Sequence, residues 1–226
     1  METDQQNRHI EMLQRHHPKT GELENSPQAG NHRQDTPADN EVGLILGKKG
    51  SGKTTLSRWI AAHTKRAVIL DTLGRDYGGG CVVRSPDSLR AYWDRVKGFA
   101  DFCVIVRPPD DRTADAFFRL VRESTDLVAF VEEADRYCSS WKMQPDLEWS
   151  LNYGRQFGQS VIGCARRPAA IHPTWRANAD FIIAHNTQEP NDLAWLNEFG
   201  FNPEVVRDLA PFRWEMVGQT KLRLPR

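Results

Sequence analysis

Val42-Gly43-Leu44-Ile45-Leu46-Gly47-Lys48-Lys49-Gly50-Ser51-Gly52-Lys53-Thr54-Thr55 is the stretch on which the reading of this chain turns. Val42 to Leu46 is a short, almost uninterrupted apolar run, the pattern of a strand buried on both faces. Gly47 to Thr54 matches G-x-x-x-x-G-K-[ST], and the following residues read as an amphipathic helix, the context a phosphate-binding loop requires. Glycines leave no Cβ in the way, so backbone N–H groups can close on phosphate oxygens, while the helix N-terminus adds partial positive charge. Lys53 is therefore expected on the β- and γ-phosphates of ATP and Thr54 on Mg²⁺. Gly47, Lys48, Lys49, Gly50, Ser51, Gly52 and Thr55 complete the expected cradle. In the helix, Leu56, Trp59, Ile60 and His63 recur at i, i+3, i+4 and i+7 and mark the expected buried face.

A second signal lies downstream, where the apolar run Leu127-Val128-Ala129-Phe130-Val131 ends in Glu132-Glu133. Side chains alternate along a strand, so two consecutive acids at its end take different directions and different work. Glu132 is expected in the Mg²⁺ shell, a place more often held by Asp, and Glu133 at an attacking water in line with the γ-phosphate. A kinase brings its own hydroxyl nucleophile and has less use for a water-polarising acid, so Glu133 favours hydrolysis.

Around these two motifs, strand-like and helix-like segments alternate, which predicts an α/β domain over residues 41–226 with a mostly parallel sheet covered by helices on both faces. The expected strands are Val42–Leu46, Ala67–Asp71, Phe102–Val106, Leu127–Glu132, Ser160–Ala165, Phe181–His185 and Phe212–Val217. The expected helices are Lys53–Thr64, Ser88–Val96, Thr113–Ser124, Asp146–Phe157 and Asn191–Phe199. Gly74 to Gly80, ending in three consecutive glycines, reads as a surface loop.

Residues 1–40 contain no Phe, Trp or Tyr and show no sustained apolar period, so they are expected to form a disordered polar arm. No apolar run approaches the roughly 18 residues needed to cross a bilayer, and Met1 to Glu11 lacks the apolar core of a secretory signal. Four cysteines without a C-x-x-C pair are expected as reduced, mostly buried thiols. Thirty basic residues balance thirty acidic ones, so any contact with a polyanion must be local.

Beyond the acids, the helix ending Gly154-Arg155-Gln156-Phe157-Gly158 runs into a strand closed by Ala165-Arg166-Arg167-Pro168, and Arg176-Ala177-Asn178-Ala179-Asp180 precedes another strand. With the phosphate loop and the acidic strand end, this order resembles the HerA/FtsK superfamily of ring-forming DNA-pumping ATPases over about Val42 to His185. The size of the chain is most similar to the genome-packaging ATPases of membrane-containing icosahedral phages of the tectivirus type. The resemblance implies a RecA-like P-loop NTPase core, a homo-oligomeric ring, double-stranded DNA and packaging-vertex proteins of the capsid as partners, and residence in the virion and host cytoplasm.

It also implies that Arg155 is an arginine finger reaching the ATP of a neighbouring subunit. In the family the next strand commonly ends T-Q-R-P, with Gln sensing the γ-phosphate; here Arg166 stands in that place and is the alternative trans arginine. A DNA motor of zero net charge must concentrate cations at a shared pore. Three segments are candidates: Gly74-Arg75-Asp76-Tyr77, Ser140-Trp141-Lys142-Met143, and Arg107 to Arg112 diluted by Asp110 and Asp111. Competing readings are a plasmid-transfer or filamentous-phage extrusion ATPase, a P-loop kinase with Arg166, Arg167 and Arg176 as lid residues, and a non-hydrolysing subunit of a virion vertex.

Overall fold

The computed structural model describes residues 40–225 except positions 76 and 78. The polar arm expected over residues 1–40 therefore lies, apart from Asn40, outside the described residues.

The chain runs β1 (Val42–Leu46), α1 (Lys53–Ala62), β2 (Arg66–Leu70), β3 (Cys81–Val83), α2 (Pro86–Val96), β4 (Phe102–Val106), α3 (Asp111–Arg122), β5 (Leu127–Val131) and a four-residue α4 (Ala134–Tyr137). A two-residue hairpin, β6 (Cys138–Ser139) and β7 (Lys142–Met143), leads to α5 (Pro145–Tyr153). Then come β8 (Gln159–Ala165), α6 (Pro173–Asn178), β9 (Phe181–His185), α7 (Pro190–Glu198), α8 (Pro203–Asp208) and β10 (Trp214–Gly218). Eight strands form one sheet in the order β10-β9-β1-β8-β5-β2-β4-β3, and only β10 is antiparallel to its neighbour.

Alternation along each strand sorts the core into two faces. Leu44, Leu46, Val68, Leu70, Ala129 and Val131 point to one face, packed with α2, α3, α5, α6 and α7. Ile45, Ile69, Phe130 and Ile162 point to the other, where α1 is the covering helix. Helices thus lie on both faces, but unevenly. Each fully buried Leu, Ile, Val or Phe in these layers contributes about 1.5–3 kcal/mol.

Where the elements differ from expectation, the reasons are local. The helix expected to Thr64 ends at Ala62, and its buried residues are Leu56, Ser57, Ile60 and Ala61. Two small side chains let the helix lie close to the sheet. Trp59 is turned half out and its ring stacks on His63 at 4.0 Å. The helix expected over 146–157 breaks at Tyr153 into a 3-10 turn, Gly154–Phe157. The last strand begins two residues late because Phe212 has left-handed backbone, φ 65°. The edge strand β3 is three residues long, and α6 and α8 are six each, too short to show a period. None of the four cysteines is in a disulfide; Cys81, Cys138 and Cys164 are buried and Cys103 half-buried. Among the described residues no helix is long and apolar enough to cross a membrane.

Candidate functional site

Parallel strands collect their following loops at one edge of the sheet, and the phosphate loop opens there, after β1. It is tied to its neighbours by backbone. Gly47 N–H donates to Ala165 O at the end of β8 (3.3 Å), and Lys48 N–H donates to Asn186 O just past β9 (3.1 Å). Gly47, Gly50 and Gly52 have φ of +144°, +79° and +115°, a region that costs other residues roughly 1–2 kcal/mol. Lys48, Lys49, Gly50 and Thr55 are exposed, whereas Ser51 is buried and its hydroxyl has no hydrogen-bond partner among the described residues. Lys53 Nζ donates to Gly47 O (2.6 Å) and Lys48 O (2.9 Å), bridging the first turn of the loop. Burial lowers its ammonium below the usual lysine value.

The acids stand one strand beyond β8. Val128 and Phe130 face α1, and Glu132 continues that alternation although the strand itself ends at Val131. Glu132 is 3% exposed. Its Oε2 accepts from Thr54 Oγ1 (3.3 Å) and its Oε1 from Tyr77 Oη (2.6 Å). Glu133 then takes left-handed backbone, φ 51° and ψ 48°. That kink, and not simple alternation past the strand, sends its carboxylate elsewhere: Oε2 accepts from Thr72 Oγ1 (2.9 Å) and Oε1 from Arg166 Nη2. Strain at a non-glycine residue, of order 1–3 kcal/mol, is held only where the surroundings fix it. Asp135 adds a third acid, and burial raises its carboxyl above the usual range.

Between loop and acids lies a cavity of about 220 Å³, bounded by Lys49, Gly50, Lys53 and Thr54 on one side and Glu132, Glu133 and Arg166 on the other. The structure thus brings together the expected phosphate, metal and water-side residues. A hydroxyl beside one carboxylate is a hard oxygen set suited to Mg²⁺, which takes few protein ligands and completes its shell with phosphate and water. Among the described residues there is no cluster of three or more His, Cys, Asp or Glu that would suggest an all-protein metal cage.

The loop after β2 was expected on the surface, with Arg75 and Tyr77 offered to DNA. Tyr77 is instead 5% exposed and bonded to Glu132, while Leu73 and Arg75 line the cavity. Position 76 lies outside the described residues. Arg107 pins the base of this loop, with Nε on Asp71 Oδ2 (2.9 Å) and Nη2 on Arg75 O (2.5 Å). Asp110 caps α3 through Thr113 N (2.9 Å) and Asp111 pairs with Arg136 (2.9 Å), so Arg107, Asp110 and Asp111 are engaged locally while Arg112 stays exposed. Of the three expected DNA segments, the β6–β7 turn keeps its offer: Trp141 is 82% exposed and Lys142 is exposed beside it, with Met143 buried. A tyrosine among glycines was the signal available for the missed contact, since a buried phenol needs a partner.

Arg155 stands at the opposite edge of the sheet, in the turn before β8. Its Nη2 donates to both carboxylate oxygens of Asp180 (2.6 and 2.7 Å), and the side chain is 55% exposed. It does not reach its own cavity. Trp149, Tyr153 and Phe157 cluster around the same turn, the latter two exposed. Arg167 is held by buried Asp192 (2.8 Å) and Arg176 lies over the Trp195 ring (5.6 Å), which leaves Arg166 alone of the three lid candidates at the cavity. His185, buried behind the loop, donates Nδ1–H to Arg213 O (2.9 Å), and burial pushes its pKa down to about 4.

No protein-family model and no curated protein matches the chain significantly. Among solved structures, the genome packaging NTPase B204 from Sulfolobus turreted icosahedral virus 2, in complex with AMPPCP, aligns with a TM-score of 0.67 at 20% identity, covering 83% of this chain and 99% of that one. B204, the DNA-packaging ATPase from Sulfolobus turreted icosahedral virus, aligns at 0.62 with 22% identity over 84% of this chain and 99% of that one. The pCW3 conjugation coupling protein TcpA, monomer form with ATPγS, aligns at 0.51 with 11% identity over 80% of this chain and 59% of that one. At these identities the likeness is one of fold: a RecA-like P-loop ATPase core with a mostly parallel sheet.

Proposed function

We propose that this chain is an ATPase that drives double-stranded DNA into a preformed viral capsid, working as a homo-oligomeric ring at the packaging vertex. The observation that carries the reading is the near full-length fold likeness to a packaging NTPase, together with the convergence of Lys53, Thr54, Glu132, Glu133 and Arg166 on one cavity. The partial likeness to a conjugation coupling protein supports a DNA-transfer ATPase as the second reading.

In this mechanism the phosphate loop and Lys53 hold the β- and γ-phosphates of ATP. Thr54 and Glu132 would hold Mg²⁺, which when bound offsets charge building on the phosphoryl oxygens. Glu133 orients a water in line with the γ-phosphate and takes its proton. Before it can do so it must leave Thr72 and Arg166, so the pair Glu133–Arg166 is the contact that γ-phosphate competes for. Arg166 acts on the nucleotide of its own chain, and Arg155, at the far edge of the sheet, reaches the nucleotide of the next subunit. Trp141 and Lys142 approach DNA backbone and sugar, where several subunits multiply a local charge that the neutral chain lacks globally.

The test is ATP turnover by the full chain with and without duplex DNA, set beside Glu133→Gln. DNA stimulates the wild type, and the variant binds ATP while losing roughly 10²- to 10⁴-fold in turnover. Turnover that ignores DNA and responds to a small hydroxyl acceptor overturns the motor in favour of a kinase. Wild-type turnover by the variant removes Glu133 from its role.

A further inference from the structure

Phe212 is a large apolar side chain that the core does not use. It is 63% exposed, yet it is fixed: its backbone is left-handed, with φ 65°, and its N–H donates to Ser51 O of the phosphate loop (2.9 Å). A phenylalanine in that conformation is uncommon, and its cost is accepted only where something holds it. The loop is shaped around it. A Cβ on Gly52 would come within 3.0 Å of Phe212 Cα and 3.1 Å of its Cδ1, so a side chain there would push Phe212 by a few tenths of an ångström, and the φ of +115° at Gly52 itself favours glycine. From below, His185 links the same two segments, with Cε1 3.4 Å from that Cβ position and Nδ1–H on the carbonyl of the next residue, Arg213.

The position of the ring fits one end of a nucleotide. Glu133, Thr72 and Arg166 mark where the terminal phosphate lies, and the phosphate chain then runs back over the first turn of α1. Sugar and base must follow on the far side of Gly52, away from the acids. Phe212 stands there, whereas Leu73, also exposed and apolar, lines the acid side with Arg75. We propose that Phe212 is the stacking platform for the nucleobase of the bound nucleotide, an inference that rests on the ATP-binding reading above.

A flat ring offers no hydrogen-bonding edge, so it recognises the π face common to all bases and discriminates weakly among them. Preorganisation is the gain: the ring's backbone is already ordered by Ser51, so little entropy is lost when a base lands on it.

The experiment is calorimetric titration of the full chain with ADP and, as a probe without a base, inorganic pyrophosphate, in the wild type, F212N and F212Y. Asparagine tolerates left-handed backbone, so F212N deletes the ring and leaves the turn. ADP affinity should fall roughly 5- to 150-fold in F212N, the span expected for losing one aromatic–base stack. Pyrophosphate affinity should be unchanged, and F212Y should bind ADP like the wild type. Unaltered ADP affinity in F212N overturns the proposal. An equal loss for ADP and pyrophosphate also overturns it, because the ring would then be shaping the loop and not reading a base. A wild type that binds neither probe sinks the ATP-binding reading first, and this one with it.

Discussion

The two edges of the sheet carry the same kind of group under opposite constraints. At the carboxyl edge, Arg166 meets Glu133 beside a cavity that Lys53, Thr54 and Glu132 of the same chain also line. At the amino edge, Arg155 meets Asp180 on an exposed turn away from that cavity, with Trp149 and the exposed rings of Tyr153 and Phe157 around it. If Glu133 is the water-orienting acid proposed above, an arginine paired with it is placed to sense a ligand in its own chain. In that mechanism, one paired at the surface, where the side chain is 55% exposed, is placed to be lent to another molecule. Under the proposed mechanism, the difference lets one fold hold two arginines for one reaction, Arg166 serving its own chain and Arg155 a second copy.

The largest expected effect breaks that contrast directly. Arg155→Ala should lower kcat by roughly 10³- to 10⁵-fold with little change in ATP affinity, the range for a finger supplied in trans. Mixed with Glu133→Gln subunits it should recover part of the activity, because each variant supplies the group the other lacks. Steady-state turnover across a series of mixing ratios is the measurement, and a strictly linear fall with no recovery would return Arg155 to a structural role.

A smaller effect sharpens the carboxyl edge. Tyr77→Phe removes one donor to the carboxylate of Glu132 without changing the shape of the buried ring. A hydrogen bond to a charged group contributes about 1.5–3 kcal/mol, so the Mg²⁺ concentration for half-maximal turnover should rise by roughly 10- to 150-fold. Pyrophosphate binding without Mg²⁺ should be unaffected. An unchanged Mg²⁺ requirement would mean that Tyr77 fills space and does not position the acid.

What the sequence made legible follows the range of the interactions. The phosphate loop is local chemistry, a strand, a turn and a helix start within thirteen residues of one another, and β1, β4 and β9 have the bounds their apolar runs imply. The acid pair was legible as residue type and place. Its geometry was not, since no pattern announces the left-handed backbone of Glu133. The clamp on the acids was hidden by distance along the chain: Tyr77 reaches Glu132 across 55 residues and Thr72 reaches Glu133 across 61. Local composition pointed the other way, because the glycines that free the loop to fold inward are the same feature that marks a surface loop. Phe212 reads from sequence as the start of a strand for a similar reason; its partners, Ser51 and Gly52, lie at the other end of the chain's numbering.

The smallest expected effect decides most about Arg155. Asp180→Asn keeps an oxygen that can accept from Val42 N–H, which now bonds Oδ2 at 2.8 Å, and removes the charge that holds the guanidinium. An exposed pair of this kind contributes about 0.2–1 kcal/mol, so the thermal midpoint should drop by only a few degrees. If Arg155 serves a neighbour, freeing it leaves turnover intact or raises it, because a competing anion has been removed from a residue whose target is a phosphate. If Arg155 serves only Asp180, the two variants must look alike, with the same slight loss of stability and the same turnover. Melting curves and ATPase rates of Arg155→Ala and Asp180→Asn side by side therefore separate the two roles. Divergence in rate at equal stability is the signature of an arginine whose partner in catalysis is not the one it holds at rest.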